Sequence, residues 1–349
     1  MKKWICLLAA LMLACPACTT AEEYAKFSRV AYGIFDTEIQ LIGYTKDQNE
    51  FNQAADEVMA QLRDYHRIFD AYNSYPNLHN LWYVNAHAAK EPVEIPAPLF
   101  DLIVWCKEQW ADGKEGANIA MGAVLSLWHD FRTAGIEDPL NAQLPPMAAL
   151  EEAAQHTDFS KVILDHEKRT VYFADPLLKL DIGAVAKGYA ADLAAASLME
   201  KMPSFLLSLG GNVIAGEPPR DGRLHWGVSV QDPDDFSGML EVLYVDQLTV
   251  VTSGDYWRYY TVDGERYHHI IDPATLMPAR HIQAVTVVCE SSLLADYLST
   301  TLFLMPYEEG RALIEATEGA EAIWSLMDGT VLMSDGMAKY ARSMGATSR

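Results

Sequence analysis

The segment from Thr252 to Pro278, TSGDYWRYYTVDGERYHHIIDPATLMP, constrains the fold more than any other part of the chain. Aromatic and β-branched residues from Tyr256 to Val262 predict a strand, Asp263-Gly264 is a strong two-residue hairpin signal, and Arg266 to Ile271 predicts the returning strand. Asp272-Pro273 ends the hairpin, because proline has no N–H to donate to a sheet. The chain is therefore predicted to contain antiparallel sheet.

Two titratable side chains, His269 and Asp272, lie where this hairpin is predicted to end. A rigid strand end can aim an imidazole and a carboxylate at a ligand, and an imidazole exchanges protons near neutral pH. Each residue taken alone is ordinary, because a histidine at a strand end is more often a satisfied structural residue than a catalyst. Other motifs must therefore decide whether this end of the hairpin is a site.

Helical and strand patterns are mixed along the remainder of the chain, with hairpins in place of strict strand–helix–strand alternation. This arrangement predicts an α+β fold with mixed, largely antiparallel sheets and packed helices. Residues 19–349 are expected to form one large domain or two interlocked lobes, with a proline-rich surface loop over 135–146. Helices are predicted at 49–69, 97–112, 184–202, 292–305 and 307–317, and strands within 27–44 and at 162–173, 205–214, 224–231, 240–245, 249–252 and 284–289.

The first residues predict export. Two lysines precede an apolar run from Trp4 to Ala14, which is typical of a secretory signal and too short to span a bilayer. Cys15 follows Met-Leu-Ala and resembles the lipidated cysteine of bacterial lipoproteins, with Cys18 as a second candidate and ordinary signal cleavage as the alternative. We expect residues 1–18 to contain the signal peptide and lipoprotein-type cysteine, and the mature chain to be lipid-anchored to the membrane, facing the periplasm or the exterior.

The charge of the chain limits its partners. The formal net charge is −22 at pH 7, and removal of residues 1–14 takes away two lysines and no acids, which makes it −24. An acidic surface of this kind repels phosphate backbones and gains nothing from counterion release, so nucleic acid is excluded as a partner. An anionic ligand would have to be held locally, by helix N-termini, glycine-rich backbone or a cation.

Asp296 and Thr300 are four residues apart in a mostly apolar segment that predicts a helix, so they share one face of it. A buried carboxylate needs a partner, because an unpaired buried charge costs roughly several kcal/mol. A hard cation such as Mg²⁺ could take oxygen ligands from both side chains. The structural alternative is a helix whose Asp296 points to water and whose Thr300 hydroxyl bonds its own backbone.

Two further segments carry glycines where the backbone can approach a ligand. In LDIGAVAKGYAAD, Asp181 closes a predicted strand and Gly183 permits a tight entry into a helix, a junction that presents amide groups to anions. Lys187 would lie in the first turn, where a cation opposes the helix dipole, so a role beyond that of a solvated lysine is indicated. Gly210-Gly211 followed by Asn212 would let amides meet a ligand, and a simple turn is the alternative.

Six motifs follow one another along the chain, namely GANIAMGAVLSLWHDFR, LDIGAVAKGYAAD, LLSLGGNVIA, TSGDY, HHIIDP and AVTVVCESSLLADYLSTTLFLM. In this order they resemble the FAD:protein FMN transferases of the ApbE family, and the similarity runs from about residue 26 to about residue 334. The resemblance implies an ApbE-like fold, FAD as substrate, Mg²⁺ as cofactor, and transfer of FMN from FAD onto a Thr or Ser hydroxyl of an acceptor flavoprotein with release of AMP.

The resemblance also implies roles, residue by residue. Asp296, Thr300 and the backbone oxygen of Ala184 would hold the magnesium ion. His269 would act as the catalytic base, and Asp272 would orient it or help to hold the metal region. The residues that would contact FAD are Phe35, Tyr72, Asn73, Ser74, Ala117, Asn118, Ile119, Asp181, Lys187, Gly210, Gly211, Asn212, Ser253 and His269.

Two positions depart from the family pattern. Asn118 stands where many relatives carry aspartate, which removes a negative charge near the expected metal. Leu276 follows Thr275 where the family often has glycine, which leaves the geometry of the turn after Asp272-Pro273 open.

Two other functions fit the same residues. A FAD pyrophosphatase would use water in place of the acceptor hydroxyl and release FMN and AMP, and the sequence does not separate these nucleophiles. A non-catalytic FAD-binding lipoprotein would need no base, so the intact set of expected base and metal ligands weighs against it. The acceptor is expected to carry a Ser/Thr-Gly-Ala-Thr/Ser-like segment and to belong to a membrane respiratory complex. The chain's own tail contains Gly-Ala-Thr, so self-modification at Thr347 is a further hypothesis, against a frayed terminus.

Overall fold

The computed structural model describes residues 23–111, 116–235 and 237–349. The predicted signal segment with its candidate cysteines, Cys15 and Cys18, lies outside the described residues. Within these ranges, no helix combines the length and the apolar character needed to cross a membrane.

The described chain contains fifteen strands and eight α-helices. The strands are β1 (Ala25–Ile34), β2 (Thr37–Thr45), β3 (Val93–Glu94), β4 (Val162–Asp165), β5 (Thr170–Phe173), β6 (Phe205–Leu209), β7 (Asn212–Ala215), β8 (Trp226–Gln231), β9 (Met239–Val245), β10 (Thr249–Gly254), β11 (Tyr259–Val262), β12 (Glu265–His268), β13 (Ile282–Cys289), β14 (Glu321–Leu326) and β15 (Val331–Met333). The α-helices are α1 (Gln48–Phe69), α2 (Leu81–His87), α3 (Ala97–Ala111), α4 (Gly122–Glu137), α5 (Met147–Ala154), α6 (Ala186–Lys201), α7 (Ser292–Phe303) and α8 (Tyr307–Ala316).

An eight-stranded sheet organises the molecule. Its strands pair antiparallel throughout, in the order β1-β2-β6-β7-β10-β13-β14-β15. Three small antiparallel sheets accompany it, formed by β3-β5-β4, β8-β9 and β11-β12. The predicted α+β fold with largely antiparallel sheets is confirmed.

Both faces of the main sheet are covered. Successive side chains of a strand point to opposite faces, so Val251 of β10 packs into the helical layer and Val250 packs against β8 and β9. Helices α1, α3, α6 and α7 supply buried residues to the first layer. A third apolar cluster joins α4 and α5 to the β11–β12 hairpin through Trp128, Leu150 and Tyr260. This hairpin therefore rests on its own base of apolar contacts.

Helices α6 and α7 lie in direct contact because of one glycine. A Cβ on Gly188 would be 2.2 Å from the carbonyl oxygen of Ser292 and 2.7 Å from the Cβ of Asp296. Farther along α6, Asp192 accepts hydrogen bonds from the N–H groups of Ser292 (2.8 Å) and Leu293 (2.9 Å) at the start of α7. The two helices are thus joined by a carboxylate at each end of their contact.

The predicted loop over 135–146 begins too early. Helix α4 continues to Glu137, and the loop starts at Asp138. Gly135 is buried within the helix, where a Cβ would lie 2.6 Å from Cδ2 of Tyr260. Glycine here permits close packing of α4 on β11 and does not break the helix.

Other predicted boundaries are also wrong. The first strand of the hairpin, predicted from Tyr256, begins at Tyr259. The strand over 205–214 is divided into β6 and β7, because Gly210 and Gly211 have φ values of 53° and 101°. The returning strand of the hairpin ends at His268, three residues before Ile271. Helix α6 begins at Ala186, so Ala184 lies before it.

Candidate active site

Hydroxyl groups from β10 and α7 converge at the end of β10. The Ser253 Oγ lies 2.8 Å from Ser299 Oγ and 3.4 Å from Thr300 Oγ1. The Thr300 hydroxyl therefore faces the neighbouring strand.

Asp296 is buried on the same helix, with 2% of its surface exposed. Its Oδ2 accepts the Gly188 N–H at 2.8 Å, and Lys187 Nζ lies 3.2 Å and 3.4 Å from the two carboxylate oxygens. The structural alternative in which Asp296 points to water is wrong. The pair also explains a lysine in the first turn of α6, because the carboxylate offsets its unfavourable position in the helix dipole.

The Ala184 carbonyl lies two residues before α6 and accepts no backbone N–H of the described residues, since Gly188 gives its N–H to Asp296. Asp296, Thr300 and this carbonyl are all oxygen donors, the class that Mg²⁺ requires. No group of three or more His, Cys, Asp or Glu in the described ranges could hold a metal. The donors thus fit an ion that takes one carboxylate and completes its shell with water and substrate phosphate.

The neighbouring histidines differ sharply. His268 Nε2 donates to the Ala279 carbonyl at 2.8 Å, Nδ1 accepts from Ile270 N–H at 3.3 Å, and burial lowers its pKa to about 4. His269, just past β12, has a buried Nδ1 with no hydrogen-bond partner. Burial, followed by the charge of Arg258, holds the His269 pKa well below its usual range. His269 is therefore neutral at pH 7, with a nitrogen free to accept a proton.

Asp272 belongs to the turn that follows. Its carboxylate accepts the Ala274 N–H at 2.8 Å and the Thr275 hydroxyl at 3.1 Å. No hydrogen bond joins it to His269 among the described residues. The carboxylate thus shapes the backbone of the turn, and the expected orienting contact with the imidazole is absent there.

Leu276 completes this turn in place of the family's usual glycine. Its φ is 60°, in the left-handed region, which costs an L-residue about 1 kcal/mol or more. The leucine side chain is buried, its N–H donates to the Asp272 carbonyl at 2.8 Å, and its carbonyl accepts from Trp128 Nε1 at 3.0 Å. These contacts offset the strain and hold the turn without glycine.

An aromatic pair lies beside the α6 junction. The Tyr72 ring stacks on His129, with centroids 3.8 Å apart and planes 14° from parallel. The Tyr72 hydroxyl donates to Asp181 Oδ2 at 2.9 Å, and the Gly183 N–H donates to Asp181 Oδ1 at 2.8 Å. Burial and the charge of Asp181 raise the pKa of Tyr72. The predicted flavin-facing tyrosine and the predicted FAD-contacting aspartate are therefore one hydrogen-bonded unit.

Phe35 lies in the β1–β2 turn, where Phe35 and Asp36 have φ values of 53° and 51°. Its N–H donates to His66 Nδ1 at 3.1 Å, and its carbonyl accepts from Arg258 Nη2 at 2.9 Å. Gly210 lies next to this turn and donates its N–H to the Glu38 carbonyl at 3.1 Å. Arg258 thus ties the β1–β2 turn to the β11–β12 hairpin.

The predicted 117–119 segment bridges the helical layer. Ala117 N–H donates to Thr301 Oγ1 at 3.1 Å, and the Ile119 carbonyl accepts the Asp181 N–H at 2.8 Å. Asn118 bonds the Thr157 carbonyl at 3.0 Å and the Ala120 N–H at 2.9 Å. Both ends of the Asn118 amide are used in the loop, so its difference from the family's aspartate is absorbed locally.

The remaining predicted residues divide between exposed and buried positions. Asn73 and Ser74 are exposed, and Asn73 is held by Asp70 through its N–H and side-chain amide, each at 3.0 Å. Asn212 is 1% exposed, yet its Nδ2 is buried without a partner. The Gly211 carbonyl accepts the Thr252 N–H at 3.1 Å, one residue before Ser253.

Sequence reasoning missed His129 and Arg132, although both lie in the quoted motif GANIAMGAVLSLWHDFR. The signal that could have found them is a polar His-Asp-Phe-Arg ending on an apolar helix. Arg132 Nη2 donates to His129 Nδ1 at 3.4 Å, which places it behind the Tyr72 stack.

Comparison with known proteins gives this geometry a context. A family model described as the ApbE family matches residues 35–324. The chain is 33% identical over 315 residues to a FAD:protein FMN transferase of Treponema pallidum, covering 85% of this chain and 83% of that protein. It is 31% identical over 255 residues to a Klebsiella pneumoniae protein of the same name, covering 72% and 76%.

Solved structures agree with the fold. The crystal structure of the ApbE protein from Thermotoga maritima superposes with a TM-score of 0.77 at 26% identity, over 90% of this chain and 98% of that one. The flavin transferase ApbE from Vibrio cholerae, at 21% identity, shares the fold with a TM-score of 0.75 over 91% and 100%. With the family model covering most of its length, the chain belongs to the ApbE family.

Proposed function

We propose that the chain is a Mg²⁺-dependent FAD:protein FMN transferase, which moves FMN from FAD onto a Thr or Ser hydroxyl of an acceptor flavoprotein and releases AMP. One observation carries the proposal: His269 has a buried Nδ1 with no hydrogen-bond partner, and burial lowers its pKa so that the imidazole is neutral. A neutral imidazole with an unpartnered nitrogen can accept a proton from an attacking hydroxyl. A pure FAD-binding protein would not need it.

In the transfer reaction, one P–O bond forms and one P–O bond breaks. The acceptor hydroxyl oxygen attacks the FMN-side phosphorus of FAD, and its proton passes to His269. The bond from that phosphorus to the bridging oxygen breaks, and AMP leaves with the bridging oxygen and the electron pair. The proton on His269 then passes to the leaving phosphate or to solvent, which regenerates the neutral base.

Asp296, Thr300 and the Ala184 carbonyl would hold the magnesium ion. Bound there, Mg²⁺ would offset charge on the pyrophosphate. Lys187, which now neutralises Asp296 at 3.2 Å, would be released toward FAD when a cation takes over that task. Asp181 with Tyr72, and Phe35 at the β1–β2 turn, would contact the flavin nucleotide from the other side.

The acceptor and the location are proposed on the sequence. A flavoprotein subunit of a membrane respiratory complex that carries a Ser/Thr-Gly-Ala-Thr/Ser-like segment would supply the hydroxyl. Anchoring through a lipid on Cys15 or Cys18 would hold the enzyme at the membrane, facing the periplasm or the exterior. Mass spectrometry of the N-terminal peptide from membranes tests the anchor, and an unlipidated N-terminus would contradict it.

Transfer is tested by weighing the acceptor. The chain without residues 1–18 is incubated with FAD, Mg²⁺ and a protein carrying a Ser-Gly-Ala-Thr segment, with EDTA and His269→Ala as controls. We expect a gain equal to FMN less water, abolished by both controls. FMN and AMP in solution with an unchanged acceptor would indicate the pyrophosphatase, and intact FAD would indicate a binding protein.

A further inference from the structure

Arg132 is partly buried and makes no ion pair among the described residues. Four arginines are partly buried within residues 23–111, 116–235 and 237–349. Three of them pair with a carboxylate, namely Arg29 with Asp56, Arg223 with Asp221 and Arg311 with Glu315. Arg132 is the fourth, and its one side-chain hydrogen bond in those ranges is to His129. The chain has a net charge of −22, so carboxylates that could pair with an arginine are abundant.

A second arginine, Arg258, lies next to the hairpin on which α4 packs. Arg132 lies three residues before Gly135, the point at which α4 touches Tyr260, and Arg258 lies two residues before Tyr260 on the hairpin. The Arg258 guanidinium is fixed by the Phe35 carbonyl at 2.9 Å and, being exposed, has no ion pair among the described residues. Burial is the main cause of a lowered pKa of Arg132, and the charge of Arg258 lowers it further, whereas the charge of Asp181 raises it.

Arg258 lies opposite His269, because Tyr259 pairs with His268 across the β11–β12 hairpin. Burial is the main cause of the lowered pKa of His269, and the charges of Arg258, Arg132 and Lys187, which come from three separate elements, lower it further. Like charges held together, one of them partly withdrawn from water, are unfavourable unless an anion joins them. A guanidinium presents a planar fork of donors that matches phosphate oxygens.

We infer that Arg132 and Arg258 bind the pyrophosphate of FAD beside His269. The assignment rests on the proposed function for the identity of the ligand. The dianionic pyrophosphate would neutralise both guanidiniums at once and lie within reach of the base. Neither arginine was among the residues expected from the sequence, because neither shows its neighbours until α4 packs on the hairpin.

The test is equilibrium binding without any acceptor. FAD and uncharged riboflavin are titrated into the full mature chain and into Arg132→Gln, Arg132→Lys and Arg258→Gln, with Arg223→Gln as the control for a partly buried arginine that has its own carboxylate. We expect Arg132→Gln and Arg258→Gln each to weaken FAD binding roughly tenfold or more, with less than about twofold change for riboflavin. Arg132→Lys should recover part of the loss, and the salt dependence of FAD binding should fall in both Gln variants.

The changes in FAD and riboflavin binding distinguish a pyrophosphate site from other roles of the two arginines. Equal weakening of FAD and riboflavin would mean that Arg132 only supports the Tyr72–His129 stack, and would overturn the assignment. Unchanged FAD binding in both Arg132→Gln and Arg258→Gln would overturn it as well. If the unaltered chain binds no FAD, the proposed function fails together with this one; if it binds FAD but transfers nothing, the pyrophosphate assignment still stands on the binding ratios.

Discussion

The contact between α6 and α7 has an aspartate at each end, and the two carboxylates differ in the partners that hold them. At one end, Asp192 accepts the Ser291 hydroxyl and the N–H groups of Ser292 and Leu293, all within 2.9 Å, and caps α7. At the other end, Asp296 accepts one backbone N–H and pairs with a flexible lysine. The first carboxylate is fixed by short, rigid donors, whereas the second is held by a partner that can leave.

The same contrast recurs one residue apart on the hairpin. His268 uses both ring nitrogens in hydrogen bonds, and His269 leaves Nδ1 buried and unused. A polar group that the fold satisfies completely is part of the scaffold. One that is buried and left open is maintained at a cost to stability, which indicates a ligand or a reaction.

The largest expected effect separates the aspartates by function. Asp296→Asn should lower flavin transfer by about a thousandfold, because the neutral amide no longer attracts a cation or Lys187. Asp192→Asn, the matched change at the scaffold end, should keep transfer within about threefold and lose about 1–2 kcal/mol of unfolding free energy instead. Transfer rates and urea unfolding of both variants check this, and a large loss of transfer in Asp192→Asn would break the comparison.

The histidines should separate in the same way. His269→Gln should reduce transfer by about a hundredfold or more by removing the base. FAD binding, measured separately by flavin fluorescence, should stay within about threefold of the unaltered chain. His268→Gln should keep most of its transfer activity, and a His268 variant as inactive as the His269 variant would show that the two nitrogens had been assigned wrongly.

The close contact of the helices should be sensitive to a single methyl group. Gly188→Ala places a Cβ against the Ser292 carbonyl and should cost about 1–3 kcal/mol of unfolding free energy through overpacking. Gly310→Ala in α8 is the control, because its nearest neighbour is a leucine methyl at 3.2 Å that can move. Equal stability of the two variants would contradict direct packing of α6 on α7.

The smallest expected effect is a pH dependence of the unfolding free energy that is caused by His268. Its pKa is about 4 in the folded chain and near 6.5 when unfolded, so below pH 6.5 the unfolded chain takes up the proton first and stability falls as the pH is lowered. Between pH 7 and pH 5 this should remove about 2 kcal/mol of unfolding free energy. Urea titrations at both pH values should show a smaller loss for His268→Gln, and an equal loss would assign the acid sensitivity elsewhere.

Local patterns predicted the elements of this fold better than their partners. The aromatic and β-branched content of the β11–β12 hairpin, its Asp-Gly turn and the helix that carries Asp296 and Thr300 are all properties of neighbouring residues, and they hold in the structure. The ion pair of Lys187 with Asp296 joins residues far apart in sequence, so the spacing of residues along the chain does not predict it. The sequence predicts that Asp272 orients His269, but the Asp272 carboxylate accepts hydrogen bonds from donors in its own turn instead.

One glycine has a different role from the one that the sequence predicts. Gly135 is predicted to begin a loop, yet its missing side chain lets α4 pack closely on Tyr260. A glycine that ends a helix and one that allows close packing cannot be distinguished until the partner surface is known. The polar end of α4 indicates Arg132, but its placement near Arg258 depends on this packing.

The most direct test of the proposed transfer asks which oxygen attacks phosphorus. The reaction with FAD, Mg²⁺ and an acceptor is run in water labelled with oxygen-18, and the FMN, AMP and modified acceptor are weighed. Attack by the acceptor hydroxyl predicts acceptor-bound FMN and AMP in equal amounts, with no label in either. Label in free FMN or in AMP, with the acceptor unchanged, would show that water is the nucleophile and would contradict the account.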